Sequence, residues 1–95
     1  MSGKEDTVLM DRLLDYAKDP EYVRTMILFK LTLKARDRVK ELGVSKREVI
    51  RRMGTTPTQF YRLMDNDNLN KTIDQMVKLL SALDCSVSFV VEEAA

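Results

Sequence analysis

The sequence SKREVIRRMGTTPTQFYRL, residues 45–63, holds two short helical segments, each with its own start signal. Ser45 and Glu48 have capping-box spacing, and so do Thr56 and Gln59, with Pro57 at the favoured first helical position. Between the segments lies Met53-Gly54-Thr55, a turn whose glycine takes a positive φ at low cost. Val49, Ile50 and Met53 line one side of the first segment, and Phe60 and Leu63 one side of the second. Helices this short are not stable alone. They must share a core at a fixed angle, and a turn of about three to four residues containing glycine suits helix-turn-helix geometry.

On the N-terminal side, residues 1–6 are polar, and Leu9, Met10, Leu13, Leu14 and Ala17 repeat at three-to-four spacing, which predicts a short amphipathic helix over 8–17. Asp19-Pro20 ends it and caps the next, which runs over 20–42 and stops at Gly43. That long helix carries two apolar stripes. Val23, Ile27, Leu31, Ala35, Val39 and Leu42 serve the core. Tyr22, Met26, Phe29 and Leu33 form a second stripe in the first half only, to be covered by the short first helix or by a partner subunit.

On the C-terminal side, a polar loop over 65–71 precedes Thr72 and Gln75, a third capping-box pair. Ile73, Met76, Val77, Leu80 and Leu83 then mark a closing helix over 72–83. The period changes at SVSFVV, residues 86–91, where Val87, Phe89 and Val91 alternate onto one face of a strand. A lone edge strand is a liability, so pairing with its copy in a two-fold dimer is the economical answer. A strand that folds back on its own chain is the alternative.

The expectation is one domain over 1–95, mainly α: N-terminal helices over 7–42, a helix-turn-helix over 45–64, the closing helix over 72–83 and a dimerisation strand over 86–91. With 44% hydrophobic and 33% charged residues, the composition is that of a soluble globular chain and not a disordered one. No apolar run approaches the roughly 18 residues of a membrane span, and no signal-peptide pattern opens the chain. One cysteine, Cys85, and no histidine leave nothing for a disulfide framework or a zinc site, so no metal or other cofactor is expected. These features point to a reducing cytoplasm.

The net charge of +1 hides an uneven distribution. Residues 1–29 carry four basic and six acidic groups, residues 30–62 ten basic and three acidic, and residues 63–95 two basic and six acidic. A basic middle between acidic ends is the footprint of nucleic-acid contact. The plainer reading is that Arg36, Arg38, Arg51 and Arg52 form solvated helix faces.

The pattern S-K-x-E-V-I-x-x-M-G-x-T-P-x-x-F-Y-R-L, continued by Asn70-Lys71-Thr72-Ile73-Asp74-Gln75-Met76, resembles the Xre family of lambda-repressor and Cro-like DNA-binding proteins. The resemblance covers about residues 34–83 and is greatest to compact HigA-type antitoxin-like regulators, because an extended tail follows the helices. Lys46, Ile50 and the acidic loop over 65–68 depart from the family pattern. The resemblance implies a lambda-repressor-like domain, here with an N-terminal helical extension and the C-terminal strand paired across a dimer. It also implies that Pro57, Thr58 and Arg62 read bases, with Thr56 and Gln59 near the DNA backbone.

The residues themselves agree with that assignment in outline. If Phe60 and Leu63 face the core, then Pro57, Thr58, Tyr61 and Arg62 face outward and are the expected base-reading residues of the second helix, which enters a major groove with its N-terminal residues at the base edges. Arg62 can pair with O6 and N7 of guanine. Lys46, Arg47 and Lys71 lie near helix starts, where phosphates are met, and Thr56 and Gln59 have a competing role in capping. With no histidine and scattered carboxylates, catalysis is not expected.

The leading expectation is therefore a nucleoid-associated homodimeric repressor on an inverted-repeat operator of double-stranded DNA, or an autoregulating antitoxin with a cognate toxin as further partner. The alternative is a protein-interaction module of the same fold with little DNA affinity, favoured by Ile50 and the acidic loop.

Overall fold

The computed structural model describes residues 17–93, and these are mainly helical. The helix expected over 8–17 lies outside them, apart from its last residue. Four helices follow in order: α1 Pro20–Leu42, α2 Lys46–Met53, α3 Pro57–Met64 and α4 Ile73–Ala82.

Each helix begins where a local side chain serves its first N–H groups. Asp19 Oδ1 accepts from the amides of Glu21 at 2.9 Å and Tyr22 at 3.4 Å, ahead of Pro20. Ser45 Oγ accepts from Glu48 N at 3.1 Å, and Thr56 Oγ1 from Gln59 N at 3.2 Å. Of the three capping boxes expected, only Thr72 and Gln75 form the reciprocal pair. At α2 the cap is one-way because the Glu48 carboxylate binds Arg51 and Arg52 instead. The ends of α1 and α2 are glycine caps in the left-handed region, Gly43 at φ 63° and Gly54 at φ 65°.

Leu28, Ala35, Val49, Met53, Phe60, Leu63, Met76, Leu79, Leu80 and Leu83 form one core to which all four helices contribute. On α1 the buried line is Leu28, Thr32 and Ala35, with Leu31, Val39 and Leu42 at its margin. The expected stripe through Val23 and Ile27 advanced by four at almost every step and so winds around a helix of 3.6 residues per turn. Packing against short partners instead alternates steps of three and four. Thr32 is tolerated at full burial because its hydroxyl donates to Leu28 O at 2.7 Å. Ile50, Ile73 and Val77, expected in the core, are half-buried at its edge.

The second stripe of α1 stays largely open among the described residues. Phe29 is 46% and Leu33 39% exposed, and Tyr22, Met26 and Phe29 line a groove of about 400 Å³ with Leu69 of the loop. After α4 the chain turns through Asp84, whose positive φ of 60° is tolerable for aspartate. Cys85 and Val87 pack on the core margin. Residues 86–93 pair with no strand of the described chain, and Phe89, Val90 and Val91 are exposed.

Candidate functional site

Phe60 and Leu63 anchor α3 in the core, at 0% and 1% exposure. Pro57 and Thr58, at the free end of the helix, are exposed, and Tyr61 stands on the outward side at 53%. The Tyr61 ring meets Phe60 edge-on, with centroids 5.5 Å apart, and Lys46 Nζ lies 5.5 Å from the Tyr61 centroid. That cation–π contact joins the start of α2 to the outward side of α3. Arg47 is exposed beside Lys46, Thr56 is exposed while it caps α3, and Gln59 is half-buried.

Two expected site residues are placed differently. Lys71 is buried at 3% exposure, and its ammonium donates to Leu63 O and Asp65 O, each at 2.9 Å. Burial pulls its pKa below the usual lysine value, against an upward pull from Asp65. It holds the end of α3 and is withdrawn from the phosphate contacts. Arg62, expected to be outward and free, is half-buried, and its Nε is buried without a hydrogen-bond partner. The loop after α3 folds against this position, with Asn68 Nδ2 donating to Arg62 O at 3.3 Å.

The basic middle of the chain is divided between two uses. Arg36 Nη1 donates to Met64 O at 3.3 Å, Arg38 Nε to Leu83 O at 3.2 Å and Arg52 Nη1 to Ala82 O at 3.3 Å. Arg24 from the first half of α1 reaches Leu69 O and Lys71 O. These cations serve carbonyls at and beyond the ends of α3 and α4, and at Met64, Ala82 and Leu83 the helix dipole also favours positive charge. Arg51 and Arg52 clamp Glu48 and hold its carboxyl down at about 2, chiefly through the Arg51 hydrogen bond. Arg36, Arg38 and Arg52 are thus neither a simple solvated face nor wholly available to a ligand. Lys30, Lys34, Lys40, Lys46 and Arg47 are exposed and have no ion pair among the described residues.

Sequence reasoning missed the helix-end role of these cations. The signal was an absence: no glycine follows Met64 or Ala82 to cap α3 or α4.

Among the described residues no group of three or more histidine, cysteine, aspartate or glutamate side chains is placed to hold a metal ion, and no helix is long and apolar enough to cross a membrane. Comparison with protein-family models, curated proteins and solved structures gave no match.

Proposed function

We propose that this chain is a helix-turn-helix, sequence-specific DNA-binding regulator, acting as a homodimeric repressor or as an autoregulating antitoxin. The observation that carries the reading is the α2–α3 pair. A three-residue turn with Gly54 at φ 65° joins two eight-residue helices, and the second is anchored by Phe60 and Leu63 while Pro57, Thr58 and Tyr61 face solvent. A short helix fixed along its inner side and open at its N-terminal end suits insertion into a major groove. Lys46 and Arg47 at the start of α2 supply charge for the flanking phosphates.

Thr58 and the outer nitrogens of Arg62 are the base readers in this scheme, and a good Arg–guanine pair contributes about 1–3 kcal/mol of discrimination. A guanine acceptor would also partner part of a side chain that already carries one unsatisfied buried nitrogen. Residues 86–91 pair with their copy across the two-fold axis, placing two α3 helices about one DNA turn apart. Sedimentation at low micromolar concentration reads that dimer directly, and a monomer there removes it.

The test is binding to the DNA immediately upstream of the chain's own coding region, titrated over salt. The expected result is specific binding to an inverted repeat whose affinity falls steeply with salt. Binding no tighter than to competitor DNA would overturn the reading. A second reading, a protein-interaction module, is favoured by the open groove beside Met26 and Phe29 and by exposed Phe89, Val90 and Val91. It gains if the DNA titration fails and the chain captures a partner through that groove.

A further inference from the structure

Between the C-terminal half of α1 and the outward side of α3 lies a second groove, of about 390 Å³. Arg36 and Lys40 line it from α1, Lys46 from the start of α2 and Tyr61 from α3, over an apolar floor that includes Val39. Three cations face one carboxylate, that of Asp65, so the groove carries a net charge of +2. The Asp65 carboxylate is itself engaged with the loop, accepting from Asp67 N at 2.9 Å. Arg36 donates to Met64 O through one terminal nitrogen, and Lys40 and Lys46 have no ion pair among the described residues.

Cations left unneutralised around a common opening repel one another, and an anion seated there relieves the repulsion. Tyr61 belongs to the groove wall and also to the outward side of α3, three residues after Thr58. A duplex that receives α3 in its major groove runs a sugar–phosphate strand alongside that helix.

We propose that this groove seats a backbone phosphate of the bound DNA, with Lys40 and Lys46 as its main cationic contacts and Arg36 and Tyr61 at its wall. The proposal rests on the DNA-binding reading and adds α1 to the interface. It moves Tyr61 from base reading to the phosphate side. Contacts of this kind fix register and orientation without reading sequence.

The test compares Lys40→Gln with Lys30→Gln, an equal charge change at an exposed α1 position outside the groove lining. Binding of the full chain to its upstream DNA is measured over a range of salt. Lys40→Gln should weaken binding about equally on specific and competitor DNA, and should lower the slope of log affinity against log salt by about 0.9 for each phosphate no longer neutralised. Lys30→Gln should leave the slope near the parent's, and both variants should melt like the parent. Equal slopes for the two variants would overturn the groove assignment alone. No salt-sensitive binding by the parent chain overturns both the groove and the DNA reading.

Discussion

At its N-terminal end α3 is served by one side chain, the Thr56 hydroxyl, and Pro57 and Thr58 stand in solvent. At its C-terminal end three side chains converge on successive carbonyls: Asn68 on Arg62 O, Lys71 on Leu63 O and Arg36 on Met64 O. One end is tied to α1 and the loop, while the other projects. A helix anchored at one end and along its inner side presents the opposite end with little freedom left to lose, which lowers the ordering cost of binding.

Four substitutions would break or sharpen this contrast. Phe60→Ala removes the largest buried side chain of α3 and should cost about 3–5 kcal/mol, read as a lower denaturant midpoint. A loss below about 1 kcal/mol would mean that the core does not hold the helix. Lys71→Met leaves Leu63 O and Asp65 O without their donor and should cost about 1–3 kcal/mol.

The same lysine has a pH signature. Its folded pKa lies below the unfolded value of 10.5, so the unfolded chain binds the proton more tightly. Between the folded pKa and 10.5 the unfolded chain therefore holds more protons than the folded one, so stability rises with pH relative to a variant that binds no proton there. The parent should accordingly gain on the Met variant as pH climbs through the window. A parent that instead loses ground would contradict the burial of the ammonium.

Thr56→Ala removes only the N-terminal cap and should cost about 1 kcal/mol by thermal melting. A cost equal to that of Lys71→Met would erase the asymmetry between the two ends. Thr58→Ala should change stability by less than about 0.5 kcal/mol, because the residue is exposed and has no cap to lose. Its effect should appear instead in a binding-site selection, as a changed preference at one base position of each half-site.

Much of this arrangement was legible in the residues. Asp19, Ser45, Thr56 and Thr72 start helices where their spacing to the next turn predicted, and Gly43 and Gly54 stop α1 and α2. Val49, Met53, Phe60, Leu63, Met76, Leu80 and Leu83 are buried as the periodicity required. The line of burial along α1 was displaced to Leu28 and Thr32, because an apolar stripe read in isolation does not specify the partner it packs against. The exposure of Lys71 was misjudged for a related reason. A cation near a helix start in sequence gives no sign of whether another helix's carbonyls lie within its reach.

The sequence by itself determined the helix starts, the two glycine stops and the inward side of α3, because each depends on residues within a turn or two of one another. Only the tertiary structure decided what the cations do. Arg36, Arg38, Arg52 and Arg24 find carbonyls 28 to 47 residues away, at distances set by packing and not by spacing along the chain. An unpaired carbonyl at a helix end must be satisfied when it is removed from water, and the donor is whichever side chain the fold brings there.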